Sequence, residues 1–369
     1  MLSTSFSVER NAQPMGEAER SRLLSDPIFG RVHTDHMAIA RYSRERGWHD
    51  ARLTARGPVE LDPATSVLHY AQEIFEGLKA YRQPDGGIAL FRPEANARRF
   101  AASARRMAMP ELPEALFLDS VRALVRADRD WVPDGEDGSL YLRPFMFASE
   151  VFLGVKPAAE YLYVVLASPA GRYFRGSSPA ISLWATRDYI RAAPGGTGEA
   201  KCGGNYAASL IAQAESIREG CDQVVFLDAI ERRFVEELGG MNIFFVFADG
   251  SISTPPLTGT ILHGITRDSL LTLARDEGMR VREEPYAIEQ WEADARSGQL
   301  TEAFACGTAA VVAPIGRVRG KGIDFAIGGQ SVGPATQRLR DRMVSIQRGT
   351  APDPHGWVER IEVPVLTPA

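Results

Sequence analysis

Four lysines, Lys79, Lys156, Lys201 and Lys321, are the chain's whole supply of side-chain amines, the rest of its 42 basic residues being arginine. Chemistry through a lysine amine therefore has four candidates. Lys79 lies on a predicted strand, Lys156 immediately precedes Pro157, and Lys321 sits in a GKG loop beside polar residues. Lys201 is placed differently, in the glycine-rich run GGTGEAKCGG that leads into NYAASLIAQAESIREG. That run is not a phosphate-binding P-loop, because its lysine is followed by Cys202 and the glycine spacing is wrong. Nor is it a dinucleotide fingerprint, since no G-x-G-x-x-G follows a strand here. Two readings stand: a plain surface loop, or a loop holding a nucleophilic lysine that forms a Schiff base with a carbonyl. The second requires a partly buried amine of lowered pKa, and by elimination Lys201 leads for it.

A pyridoxal phosphate site would make further demands. Its ring nitrogen must stay protonated to act as an electron sink, so it needs a carboxylate beside it. Glu237, in VEELGGMN, follows a predicted strand and precedes two glycines that would admit a ring edge. Glu236 next to it fits the pattern as well, and a solvated turn carboxylate is the plainer reading of either. The phosphate needs backbone N–H groups at a helix start and a cation. HGITRDSLL puts Gly264, Ile265 and Thr266 at such a start, and CGTAA offers Thr308 among small neighbours.

The elements that would position these residues are legible in outline. PDGG between two short apolar stretches predicts a hairpin, and Glu94 to Met109 predicts a helix carrying Arg99. SLYLRPFMFASEVFLGV and EYLYVVLASPAG read as strands. After Lys201, Tyr206, Leu210, Ala214 and Ile217 recur at helical spacing, predicting an amphipathic helix ending at Gly220. Three strand-like runs follow, DQVVFLDA, RRFVEELGG and MNIFFVFADGSISTPP, then a second helix ending at Gly278, then a strand, a Gly-Thr turn and a strand in EAFACGTAAVVAPIGRV. GRYFRGSSPA is the candidate interdomain linker.

Composition sets the bounds. The chain has 369 residues, 44% hydrophobic and 24% charged, enough for two domains with a substantial core. A net charge of −5 argues against a nucleic-acid partner. Three cysteines with no CxxC pair give neither a disulfide framework nor a metal site. The N-terminus lacks a basic start followed by an apolar core, and no apolar run approaches the roughly 20 residues of a membrane helix. A cytoplasmic protein with no membrane partner is expected.

The segments FEGLKAYR, SLYLRPFMF, EAKCGGNYAASL, VEELGGMNIFFVF, LTGTILHGITR and FACGTAAVV together resemble, in order, the branched-chain amino acid aminotransferases of the fold type IV pyridoxal phosphate family, from about Phe29 to Val318. The resemblance implies that Lys201 carries the cofactor and shuttles the proton, that Tyr206 bonds its phenolic oxygen, and that Glu237 partners its ring nitrogen. It implies phosphate binding by Arg99, with Arg98 the adjacent alternative, by the N–H groups of Ile265 and Thr266, and by Thr308. For substrate it implies an aromatic lining of Phe29, Phe75, Tyr141 and Tyr173, a polar pair of Tyr70 and Arg143, and the backbone N–H of Ala309. Leu153 and Val155 resemble residues contributed across a subunit interface, which implies a homodimer. The sequence departs from the family in two places. TAAVVA stands where some members carry a CxxC redox pair, and Gly240 stands where some carry a threonine that donates to substrate.

The expectation is an α/β enzyme: a small α+β N-terminal domain over residues 1–171, a linker over 172–180, and a larger α/β C-terminal domain over 181–369 holding the cofactor, D-amino acid aminotransferase-like in fold. The expected reaction is reversible amino transfer from leucine, isoleucine or valine to 2-oxoglutarate, giving the branched-chain 2-oxo acids and glutamate. The rivals are a D-amino acid aminotransferase or aminodeoxychorismate lyase on the same fold, and a non-catalytic carrier or sensor that binds pyridoxal phosphate or an amino acid.

Overall fold

The computed structural model describes residues 6–135, 137–171 and 180–362. It divides into two units, Met1–Tyr173 with Ser345–Ala369, and Phe174–Val344. This differs from the expected division: the C-terminal unit closes at Val344 instead of running to residue 369, and it is the smaller of the two. The reason lies in the strand Val358–Ile361, which pairs antiparallel with Ile88–Phe91 and so returns the end of the chain to the first sheet. The expected linker falls almost wholly on residues outside those described.

The first unit is built on a nine-stranded mixed sheet. At its centre Ser139–Ala148 pairs antiparallel with Glu160–Ala170 over the length of both strands, and it also receives Leu78–Arg82 and Glu73–Phe75. Ser139–Ala148 is buried over most of its length, which suits a run dominated by aromatic and branched side chains. The PDGG hairpin forms between Leu78–Arg82 and Ile88–Phe91. Gly86 turns it at φ +79°, a conformation that glycine reaches without a Cβ penalty. The helix predicted from Glu94 runs Pro93–Arg106 with proline at its start. The strand expected to run on to Val155 stops at Ala148, and Val151, Leu153 and Val155 beyond it are exposed.

The second unit holds another nine-stranded sheet. Ile181–Thr186 pairs parallel with Gln223–Leu227, and the crossover between them is the helix Gly203–Arg218. Lys201 therefore sits on the loop that leaves the carboxyl end of a parallel strand and enters a helix, the place where open α/β sheets collect their ligands. Val311–Gly320 joins Ile181–Thr186 in parallel on its other edge, and Leu300–Gly307 and Asn242–Phe247 follow it antiparallel, around a core that includes Phe245, Trp291 and Phe325.

One helix face differs from its sequence reading. Leu210 and Ile217, expected to face the core, are each 64% exposed. The buried side is instead Asn205, Ser209, Ala212 and Ser216, with Ala212 packed on Val224 and Phe226. Small side chains let the helix lie close on the strand, and that close approach outweighs the apolar periodicity.

Candidate active site

In the second unit the loop before Lys201 is clamped by one side chain. Asn205 Nδ2 donates to the carbonyls of Thr197, at 2.8 Å, and Ala200, at 2.9 Å, while its Oδ1 accepts from the Thr197 hydroxyl at 2.6 Å. A buried asparagine with these bonds fixes a loop that its glycines would otherwise leave loose. Lys201, half-buried on that loop, donates from Nζ to Tyr206 Oη at 2.9 Å. The extended backbone at Cys202 starts the helix and brings Tyr206 back over the lysine.

Glu237 lies on the strand Val235–Leu238 and is 2% exposed. Its Oε1 accepts the Leu262 N–H at 2.9 Å and meets the Arg191 guanidinium at 2.9 Å; its Oε2 accepts from Asn242 Nδ2 at 3.4 Å. Burial pushes its carboxyl up to about 7, against the pull of Arg191, the Leu262 N–H and the charge of Lys201. Glu236 is also buried, but its Oε1 accepts from the Thr260 hydroxyl at 2.5 Å. Of the two glutamates, the charge of Lys201 acts on Glu237.

Gly264 caps the helix Ile265–Asp276 with extended backbone. A Cβ there would stand 1.9 Å from Asn242 Oδ1, so only glycine lets this helix start so close to the strand that follows Glu237. Ile265 and Thr266 are its first two residues. Thr308 and Ala309 form the half-buried turn between Leu300–Gly307 and Val311–Gly320. Gly240 faces Tyr206, and a Cβ there would make an ordinary contact of 3.6 Å with its ring.

The first unit carries a second group. Arg99 Nε donates to Glu76 Oε1 at 2.6 Å and its Nη2 to Oε2 at 2.8 Å. Glu76 is fully buried and also accepts from Asn96 Nδ2 at 2.7 Å and from the Gly77 N–H at 3.0 Å. This bidentate grip sets the plane of the Arg99 guanidinium. Arg98, by contrast, points outward, 64% exposed and 3.7 Å from Glu114. Phe29 meets Tyr141 edge to face with ring centroids 4.8 Å apart. Arg143 donates from Nη2 to Tyr141 Oη at 3.0 Å and covers the Phe75 ring at 4.8 Å. Phe29, Phe75, Tyr141 and Arg143 thus form one cluster. Tyr70 does not pair with Arg143; its hydroxyl donates to the Leu153 carbonyl. Leu153 and Val155 are 59% and 87% exposed. Tyr173 lies outside the described residues.

The family described as Amino-transferase class IV matches residues 73–318. A probable branched-chain-amino-acid aminotransferase of Streptomyces coelicolor is 56% identical over 98% of this chain and 100% of its own length. The branched-chain-amino-acid aminotransferase of Mycobacterium tuberculosis is 54% identical over 97% of this chain and 99% of its own. This chain belongs to the branched-chain-amino-acid aminotransferases of class IV. Among solved structures, the branched-chain amino acid aminotransferase from Escherichia coli aligns with a TM-score of 0.71 at 27% identity, covering 88% of this chain and 99% of that one.

In this aminotransferase, four residues that the sequence reading did not single out shape the site: Glu76, Arg191, Asn205 and Asn242. Each is buried and polar, and each bonds a backbone group or a charged side chain of the site. Glu76 lies inside FEGLKAYR and Asn205 inside CGGNY, so both sat in view without a spacing rule to mark them. Arg191 is one of many arginines, and its only signal is that a buried Glu237 needs a cation.

Proposed function

We propose that this aminotransferase exchanges amino groups between leucine, isoleucine or valine and 2-oxoglutarate, with pyridoxal 5′-phosphate as cofactor. The observation that carries the reading is the set of donors gathered in the second unit: an amine, a phenol, a buried carboxylate and a glycine-capped helix start. These match the aldehyde, the phenolic oxygen, the ring nitrogen and the phosphate of that cofactor. When bound, the cofactor supplies an electron-withdrawing ring that eases loss of a proton from the amino acid's Cα.

Lys201 Nζ would be the attachment point for the cofactor's aldehyde and, as a free amine, the base that moves the Cα proton. Tyr206 Oη, 2.9 Å from Nζ, holds that amine in reach and binds the phenolic oxygen. Glu237 would hold the proton of the ring nitrogen. The N–H groups of Ile265 and Thr266 with Thr308 bind phosphate at the positive end of a helix, and Arg99, held in plane by Glu76, supplies the cation. Arg143, stacked on Phe75 and bonded to Tyr141, is placed to meet a carboxylate beside an aromatic wall. Phe29, in edge contact with Tyr141, extends that lining, and the Ala309 N–H takes the α-carboxylate. The exposed apolar run Val151, Phe152, Leu153 and Val155 supports a homodimer in which a second copy covers it. Among the described residues no helix is long and apolar enough to cross a membrane. We place the enzyme in the cytoplasm.

Gly77→Ala tests the aromatic cluster. A Cβ there would stand 2.0 Å from Tyr141 Oη, so Tyr141 and Arg143 must move, at a cost of about 1–3 kcal/mol. The expected result is a lower melting temperature and a raised KM for leucine; an unchanged KM would remove these residues from substrate binding.

The assigned reaction is tested by following glutamate formation from 2-oxoglutarate with L-leucine, L-isoleucine and L-valine, beside D-alanine, and by following pyruvate release from aminodeoxychorismate. Turnover with the three L-amino acids is expected. Turnover confined to D-alanine or aminodeoxychorismate would replace the assignment, and turnover with none would favour a carrier or sensor.

A further inference from the structure

We infer that Arg191 is a positioning residue for the reaction, its buried guanidinium locking the Glu237 carboxylate to the loop that carries Lys201. Arg191 is not on the sheet. It lies on the segment between the strand Ile181–Thr186 and the glycine-rich run, yet its side chain is only 2% exposed, as is that of its partner Glu237. Its Nη1 stands 2.9 Å from Glu237 Oε1 and donates to the carbonyls of Thr260 at 2.9 Å and Gly198 at 3.3 Å. Gly198 belongs to the Lys201 loop, and the Thr260 segment runs on to the helix start at Gly264. One side chain thus joins the parts that hold the amine, the carboxylate and the helix N-terminus.

A second observation, independent of that side chain, shows how tightly these parts are pressed together. A Cβ at Gly198 would stand 2.5 Å from the Thr260 carbonyl oxygen and 2.7 Å from Ala192 Cβ. The backbone approach is closer than any other residue allows, and Arg191 bonds both of its sides.

Charge gives the arrangement its consequence. The groups acting on Glu237 are Arg191, Lys201 and Glu236, with the Leu262 N–H and Asn242 as neutral donors. Cys306, on the adjoining strand, has its thiol pushed up by burial and stays neutral. Burial also raises the Glu236 carboxyl, and its Oε2 is buried without a hydrogen-bond partner among the described residues. Arg191 is therefore the main buried charge holding Glu237 ionised. Without it Glu237 takes up a proton at higher pH, since an unpaired carboxylate in such a place is costly.

The inference rests on Glu237 being the partner of the cofactor's ring nitrogen, and the experiment separates the two. Wild type, Arg191→Gln and Arg191→Lys are prepared as full-length protein loaded with pyridoxal phosphate. Borohydride reduction and peptide mapping measure attachment at Lys201, and the pH profile of kcat/KM with L-leucine is recorded. Arg191→Gln is expected to keep at least half of the wild-type label. Its acidic limb should move up by about one pH unit or more, and kcat should fall about 100-fold with KM within threefold. Arg191→Lys is expected to restore the limb but to recover kcat only to about a tenth of wild type, because an ammonium lacks the planar fork.

A labelled Arg191→Gln with an unmoved limb overturns the inference while leaving the proposed function intact. So does an Arg191→Lys protein as fast as wild type, which decides the matter even if the glutamine variant does not fold. Wild type with no label at Lys201 overturns both.

Discussion

Lys201→Ala is expected to lower transamination of L-leucine by about 10⁴-fold, the upper end of the range for loss of a positioned acid–base group, while the protein keeps its fold and some non-covalent pyridoxal phosphate. The lysine is half-buried and its Nζ bonds to Tyr206, so alanine removes the amine without opening a core cavity. The check is a leucine/2-oxoglutarate assay beside a thermal melt. Activity within tenfold of wild type would show that another group moves the Cα proton. Lys79 is the rival to watch. It is buried on the strand Leu78–Arg82, and burial with the nearby charge of Arg348 brings its ammonium down to about 8. It belongs, however, to the first unit, on the core of a sheet, whereas Lys201 shares its loop with the groups that bind Glu237.

Glu237→Gln should cut kcat by about 10² to 10³-fold, the effect of removing one preorganised electrostatic contact, with a smaller change in cofactor affinity. The same substitution at Glu236 should cost far less, because Glu236 spends its carboxyl on Thr260. If the two results exchange places, the assignment of the ring-nitrogen partner moves one residue back. A pH signature accompanies it. In the folded protein Glu237 holds its proton up to about 7, against an ordinary value of 4.5. A raised carboxyl binds more protons folded than unfolded across that window, so stability of the cofactor-free protein falls as pH rises from about 4.5 to about 7 and is flat above it. The fall is at most about 3 kcal/mol. Melting temperatures of cofactor-free wild type should decline through that window, and Glu237→Gln should flatten the slope.

Much of this was legible in the residues because the relevant signals are local. PDGG marks a hairpin through a backbone conformation that glycine supplies, and the Gly264 start is marked by a glycine ahead of an amphipathic run. Lys201 stood out because the chain has so few lysines. What the sequence hid was set by contacts distant in the chain. The helix after Lys201 buries Ser209 and Ala212 in place of Leu210 and Ile217, since the strand beneath it demands close approach, and no periodicity within the helix reports what lies beneath. The return of Val358–Ile361 to the first sheet is likewise a pairing across the length of the chain. The buried polar residues Glu76, Arg191, Asn205 and Asn242 were invisible for a related reason: a polar residue reads as surface until its partner is known. Tyr70 and Arg143, grouped by resemblance, have separate partners here, Leu153 and Tyr141.

The most direct measurement is to load the full-length protein with pyridoxal phosphate, make the lysine linkage permanent with borohydride, and map the modified peptide. A single label on the peptide GGTGEAKCGG, at Lys201, is the predicted result. A label on Lys79, or on no lysine at all, would contradict the account at its base.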